Sequence, residues 1–439
     1  MNLYLEFLII DSYIINIITS KTCFIMKCKL MILGFLGTMT FLAKAQDVST
    51  EPKYGITFSG FVKTDVFYDS RQSSASTGIR EGFFYLFPDN VLMDANNNDL
   101  NANPSFHILS IQSRLKGDIT APDVFGAKTS GVIEGEFFGT SDGDINGFRL
   151  RHSFMKLDWA KTSLVVGQTW HPMFPAECFP GTISFNTGVP FTPFSRNPQI
   201  KLTKKLGNAS ITLDAYAQRD FASSGPDGTS SKYLRNSTMP GIDVQLKAPV
   251  GESFVAWAGV DYKVLRPEIK TTANIETSTT IPSLAAYATM KIKTKPVNVS
   301  LMAVYAQNGS DFMMIGGYAV SGVSDSATMV KTYTNISTSN VWMDLATNGK
   351  NVSFGLFTGY SKNMGADELI SGAVYGRGSN IDHLFRVSPR LSVTRSKVVF
   401  AAEVENTIAA YGTMQTDGKV INTSNVSNIR VLLSAILKF

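Results

Sequence analysis

Repeated apolar runs of about 20 residues are missing from this chain, which excludes a polytopic helical membrane protein. Charge of one sign is missing too. Across 439 residues, 40 Lys and Arg stand against 35 Asp and Glu, a net +5 that gives no field for nucleic acid. Cysteine is nearly absent: Cys23, Cys28 and Cys178 exclude a disulfide scaffold and a CxxC zinc site. Histidine is scarce, and His107, His152, His171 and His383 form no i, i+4 pair. No GxSxG, HExxH or P-loop occurs, so neither an enzyme nor a cofactor is expected. Disorder is excluded by the 11% aromatic content. A mean hydropathy of +0.04 leaves one membrane class open, a β-barrel that meets lipid with only every second residue.

The N-terminus reads as an address. From Met26, Lys27 and Lys29 form a basic start, Leu30 to Leu42 an apolar stretch, and Ala43-Lys44-Ala45 a cleavage signal. Residues 26–45 are thus a signal peptide, and an apolar run of 13 is too short to span a membrane. Residues 1–25 carry Glu6 and Asp11 and read as an upstream extension of the frame; one long signal peptide is the alternative. Cleavage before Gln46 leaves residues 46–439, 394 residues with a net charge of +3.

What fills that span is alternation with a period of two. In 209–220, Ala209, Ile211, Leu213 and Ala215 oppose Thr212, Asp214, Tyr216 and Gln218. In 56–69, Ile56, Phe58, Val62 and Val66 oppose Lys63, Asp65 and Asp69. In 381–394, Phe385, Val387 and Leu391 oppose Arg386, Ser388 and Arg390, and in 398–405 Phe400 and Val404 oppose Glu403 and Glu405. Sixteen such segments are expected, near 55–69, 107–119, 129–138, 148–159, 163–170, 198–205, 209–220, 240–248, 252–264, 283–293, 296–308, 335–347, 351–361, 380–394, 396–411 and 425–439. Short connections (160–162, 206–208, 348–350) alternate with long ones (70–106, 171–197, 221–239, 265–282, 309–334, 362–379). A soluble sandwich has no reason to keep that phase; an outer-membrane barrel, with short periplasmic turns and long external loops, does. The fold class is therefore all-β, a transmembrane antiparallel barrel of about 16 strands.

Two segments refine the expectation. Val431, Leu433, Ala435, Leu437 and Phe439 alternate to a terminal Phe, and this ending resembles the last strand that the barrel-assembly machinery recognises in outer-membrane barrels. Aromatics near strand ends, Tyr68, Trp159, Tyr305, Tyr360 and Phe439, suit interfacial girdles. The connection 171–197 is rich in Pro, Phe and Gly and too apolar for a solvated loop, so it is expected to fold inward.

The run Gly167-Gln168-Thr169-Trp170, this loop, and Arg196-Asn197-Pro198-Gln199-Ile200-Lys201 resemble the DcaP-like trimeric porins of Gram-negative bacteria, relatives of the phosphate-selective porins. The resemblance covers most of 46–439 in architecture, and at motif level about 165–205 and the last strand. It implies a homotrimer in the outer-membrane lipid, with a third external loop folded into the lumen and an arginine-lined constriction for small anions such as dicarboxylates. Carried over by position, Arg196 and Lys201 flank the constriction loop. Lys201 stands where arginine is expected, and 46–54 is too short for the coiled coil that several members carry.

The expected lining continues on neighbouring strands with Arg114 and Lys116, Glu134 and Glu136, Arg149 and Arg151. The glutamate pair could be a glycosidase dyad, but a cross-strand ion-pair lattice is preferred. Asp142-Gly143-Asp144-Ile145-Asn146-Gly147 matches half of a calcium loop, yet position twelve is Ser153, so a polar turn is preferred and calcium at Asp142, Asp144 and Asn146 is the minor reading. Asp94 to Asp99 is a weaker match of the same kind. Cys178 has no positive neighbour to activate it. The function expected is a diffusion channel for small hydrophilic solutes, with anions preferred. The alternative is a surface antigen, adhesin or envelope-anchoring barrel. A plugged receptor of 22 strands needs a longer chain.

Overall fold

A computed structural model describes residues 54–75, 83–139 and 142–439. The expected upstream extension 1–25 and expected signal peptide 26–45 lie outside the described residues. Pro122–Lys128 fall in a separate unit from the barrel unit, which is 53–121 with 129–439.

The strands, in chain order, begin with β1 (Gly55–Asp69), β2 (Ser73–Ala75), β3 (Tyr85–Pro88), β4 (Ser105–Leu109), β5 (Arg114–Val124), β6 (Ala127–Glu136) and β7 (Arg149–Asp158). Next come β8 (Thr162–Trp170), β9 (Arg196–Leu206), β10 (Ala209–Tyr216), β11 (Gly241–Val250), β12 (Phe254–Leu265), β13 (Ile281–Lys293) and β14 (Val297–Gln307). The last are β15 (Gly316–Asp325), β16 (Val330–Thr347), β17 (Val352–Ala366), β18 (Val374–Arg377), β19 (Ile381–Arg395), β20 (Val398–Met414) and β21 (Val420–Lys438). Among the described residues, β4 and β5 act as one strand, both pairing with β1. β2, β3, β15 and β18 belong to connections, so the wall has 16 antiparallel strands. It closes where β21 pairs with β1, Asp65 opposite Ser434 and Asp69 opposite Arg430. All sixteen expected segments coincide with wall strands.

Burial is inverted relative to a soluble sheet. On β1, Lys63, Asp65 and Asp69 are buried while Ile56, Phe58 and Val62 are exposed. On β21, Arg430 and Ser434 are buried while Val431, Leu433 and Leu437 are exposed. A closed wall pairs all its backbone groups, so its outer face can be apolar, as lipid requires, and its inner face polar. Tyr68, Tyr305, Tyr360 and Phe439 are on the outer face.

The connections keep the expected phase. Residues 159–161, 207–208, 251–253, 294–296, 348–351 and 396–397 make tight links at one end; 171–195, 217–240, 266–280, 308–329 and 367–380 are long and lie at the other. Strand lengths differ from the sequence reading at that end. β16 starts at Val330 and pairs with β15, which pairs with β18, so the wall extends into a flap. β20 and β21 run on to Met414 and back from Val420.

Candidate functional site

Two groups of ion-paired charges stand on the inner wall around the loop 171–195. In the first, β5, β6, β7 and β9 contribute Arg114, Glu134, Glu136, Arg151 and Arg196. Arg151 spans both glutamates, 2.7 Å from Glu134 and 2.6 Å from Glu136. Arg114 reaches the same pair at 3.5 and 3.1 Å. Arg196 lies 4.0 Å from Glu136, and its Nε and Nη1 have no hydrogen-bond partner. Trp170, Phe194 and Phe221 pack around its guanidinium at 5.0–5.6 Å. Arg114, Arg151 and the two glutamates form a cross-strand lattice of the kind expected from the sequence, and Arg196 gives the group one more cation than carboxylate.

The second group was not singled out as a site in the sequence, although Lys63, Asp65, Asp69, Arg386, Arg390 and Glu405 lay on the polar faces of 56–69, 381–394 and 398–405. Arg430 on β21 grips Asp69 with Nε and Nη2, at 2.9 and 2.7 Å. Arg390 on β19 grips Asp344 on β16 with Nη1 and Nη2, at 2.6 and 2.9 Å. Arg386 lies 3.6 Å from Glu405, and Lys63 lies 3.3 Å from Asp65.

The connection 171–195 is bonded to these inner-face side chains. Gly181 N–H donates to Asp344 at 3.2 Å, Ile183 N–H to Glu403 at 2.6 Å and Asn186 Nδ2 to Glu405 at 2.8 Å. Lys63 donates to Ile183 O at 2.7 Å and Arg386 to Val189 O at 2.8 Å. At its start, Gln245 on β11 donates to Pro172 O at 2.7 Å and Lys291 on β13 to Glu177 O at 2.9 Å. An apolar segment without secondary structure still has to satisfy its backbone, and strand side chains do so here. Phe191 rests on Gly359 of β17, where a Cβ would come within 2.5 Å of the ring.

A second apolar segment joins it. Phe83, Phe84, Leu86 and Phe87 are buried, with Phe83 4.8 Å from Phe185 and Phe84 5.3 Å from Phe194. Arg386 also donates to Leu86 O at 2.9 Å, and Tyr411 OH to Pro88 O at 2.7 Å. The sequence reading missed this segment; the signal was the run Phe83-Phe84-Tyr85-Leu86-Phe87-Pro88, as apolar as the loop that was singled out.

No family model and no curated protein sequence matches the chain. Solved structures do. The outer membrane channel DcaP of Acinetobacter baumannii is similar at a TM-score of 0.66 and 17% identity, over 90% of this chain and 100% of that one. The chain has the DcaP fold. The outer-membrane protein OmpT of Vibrio cholerae is similar at a TM-score of 0.52 and 10% identity, over 90% of this chain and 100% of that one. Its in-vitro folded trimer form is similar at 0.53 and 11%, over 88% and 99%.

Within this DcaP-like barrel the resembling motifs hold the ends of the loop together. Gly167 has φ +134°, and a Cβ there would lie 2.2 Å from Ser153 O, so β7 and β8 approach where only glycine fits. Gln199 donates to Thr169 O at 2.8 Å and Asn197 to Ala217 O at 3.1 Å. His171 N–H to Ser195 O at 3.1 Å closes the base of the loop.

Three predicted lining residues stand apart from the first group. Lys116 pairs with Asp118 at 2.7 Å and Arg149 with Asp220 at 3.2 Å. Lys201 faces Asp214 across the strands and donates to Trp170 O at 3.0 Å. Asp142–Asp144 is one turn of 3-10 helix, with Gly147 N–H donating to Asp144 O at 3.1 Å and Asp144 and Asn146 exposed. Asp94 accepts the N–H groups of Asn96 and Asn98 at 2.8 Å each. Those bonds, the Asn98 backbone first, hold its carboxyl below the usual range, so it caps a turn. Cys178 is buried with Sγ 3.1 Å from Thr289 Oγ1, and burial pushes its thiol up, away from reactivity.

Proposed function

We propose that the chain is an outer-membrane diffusion channel for small hydrophilic solutes, narrowed by residues 171–195 folded into its lumen, and not a catalyst. One observation carries this reading: the loop's backbone is bonded to inner-face polar and charged side chains of strands as separate as β1, β11, β16 and β20. A loop lying over the rim has no access to those side chains. The DcaP and OmpT folds support an outer-membrane location, and the trimer form of the OmpT of Vibrio cholerae supports assembly as a homotrimer. Delivery through the signal peptide 26–45 and recognition of the last strand by the barrel-assembly machinery belong to the same reading.

Anions are the preferred solutes in this proposal, with small dicarboxylates the first class to try. Support comes from the surplus cation of the Arg114–Arg151–Arg196 group and from the two unpartnered nitrogens of Arg196. Low-dielectric walls strengthen such a field: unit charges 4 Å apart interact by about 4 kcal/mol at an effective dielectric of ~20, against about 1 in water. The test is the zero-current potential of the purified protein in a planar bilayer under a salt gradient. An anion-selective potential supports the reading. Cation selectivity would overturn the preference, and no conductance at all would overturn the channel.

A further inference from the structure

Asp214 on β10, Asp243 on β11 and Asp261 on β12 stand directly opposite one another across three adjacent strands. All are on the inner face with at most 1% of their surface exposed. Like charges opposed across a sheet repel, and buried carboxylates without partners destabilise a fold strongly. Their partners are few. Asp243 Oδ1 accepts from Tyr287 OH and Asp261 Oδ1 from Tyr216 OH, each at 3.1 Å. Both oxygens of Asp214, and Oδ2 of Asp243 and of Asp261, have no hydrogen-bond partner. Nearby cations are turned elsewhere: Lys201 to Trp170 O, Lys263 to Asp311 and Asn308 O.

One side chain from the loop closes the cluster. His171 is 1% exposed, and its Nε2, also without a hydrogen-bond partner, lies 3.3 Å from Asp261 Oδ2. One donor atom each from His171, Asp243 and Asp261 lie within 4.8 Å of one another.

We propose that this is a divalent-cation site in which His171 Nε2, Asp243 Oδ2 and Asp261 Oδ2 are ligands and Asp214 is the third carboxylate. A tetrahedral ion with bonds of about 2.0–2.1 Å separates its ligands by about 3.3–3.4 Å, the His171–Asp261 spacing. One imidazole with carboxylates suits Zn2+ or Mn2+ rather than Ca2+, which takes six to eight oxygens. Tyr287 and Tyr216 hold the other oxygens of Asp243 and Asp261, which aims Oδ2 of each. Binding has one structural cost. Met173 N–H donates to His171 Nδ1 at 3.2 Å, and a metal on Nε2 places the ring proton on Nδ1, so that bond is lost. Neutralising opposed buried carboxylates offsets it. The ion would fasten the start of the 171–195 loop to the wall, a property separate from which solute passes.

The test is titration of the EDTA-stripped, detergent-purified full chain with Zn2+ and with Mn2+, by calorimetry and, for Mn2+, by electron paramagnetic resonance. One ion per chain is expected for at least one of the two metals. His171→Ala and Asp261→Asn should each weaken binding at least tenfold, and Asp144→Asn, in the exposed turn, should leave it unchanged. Asp243→Asn should melt higher than wild type without metal, because it removes an opposed charge, and should gain no stability from the metal. Folding of each variant is read from the heat-dependent shift in gel mobility. The Asn variants keep the side-chain shape and carry the test if His171→Ala does not fold. No saturable binding of either metal, or binding unaltered in folded Asp261→Asn and Asp243→Asn, would overturn the site. Neither readout depends on conductance.

Discussion

Asn186 donates to Glu405 at 2.8 Å across 219 residues of chain. The donor belongs to the loop between β8 and β9, and the acceptor to the fifteenth strand of the wall. Glu405 also faces Arg386 at 3.6 Å and Arg430 at 4.0 Å, so the loop is tied into the ion-pair network that crosses the seam.

The wall strands pair with one another without the loop, so the loop is removable without loss of the barrel. Deleting residues 180–190 should leave the heat-dependent gel mobility of a folded barrel and raise single-channel conductance at least twofold. Unchanged conductance in a folded deletion would place the loop outside the permeation path.

Cys178 reports the same placement chemically. Its thiol is buried between the loop and β13. A maleimide should label the native protein at least tenfold more slowly than the denatured chain, measured by mass shift. Equal rates would mean that the loop does not pack against Thr289.

Selectivity should respond to Arg196 rather than to Arg149, which Asp220 already neutralises. Arg196→Gln should move the zero-current potential towards cations, while Arg149→Gln should move it much less. The opposite order would shift the selective field to the β7 end of the group. Arg151 is a poor site for charge reversal, because a new carboxylate would face Glu134 and Glu136.

Arg430→Met should destabilise the barrel by about 3–5 kcal/mol, the usual cost of stranding a buried charge partner, here Asp69. Denaturant-induced unfolding in detergent measures this. A loss below about 1 kcal/mol, the worth of an exposed pair, would mean that water reaches the pair.

Closure of the wall should depend on Gly60 and Phe439. Their N–H and C=O groups exchange hydrogen bonds at 3.3 and 3.1 Å. A Cβ on Gly60 would lie 2.2 Å from Arg114 O and 2.8 Å from the Phe439 ring. Gly60→Val should therefore abolish the folded band on gels, and Phe439→Ser should lower assembly in cells more than synthesis. Normal assembly of Phe439→Ser would make the terminal aromatic incidental.

The strands were legible because a closed wall with an apolar outer face enforces its pattern twice: apolar residues outside at every second position, and connections that alternate in length. Val431, Leu433 and Leu437 reveal both the strand and its face. The ends of β16, β20 and β21 were less legible, since there the regular alternation of apolar and polar residues fades. At the site, sequence arithmetic placed Arg114, Glu134, Glu136 and Arg151 together because they lie on consecutive strands. It could not pair Arg149 with Asp220, or the loop with Glu403 and Glu405, since those partners meet across 71 and about 220 residues. Nor could a count of four histidines reveal His171. The alternation of 209–220 put Asp214 on the polar face, but nothing in it aligns Asp243 and Asp261 alongside; only the registers of β10, β11 and β12 do that.

The seam between β1 and β21 governs how the molecule comes into being. Asp65 accepts from Ser434, a partner 369 residues away. Until those residues meet, every partial barrel has two open edges, each a ladder of N–H and C=O groups that hydrocarbon cannot solvate. On the proposed outer-membrane reading, insertion into the bilayer and sealing of the cylinder are therefore expected to be coupled. By that same reading, a lesion anywhere along the seam should act on biogenesis before it acts on transport.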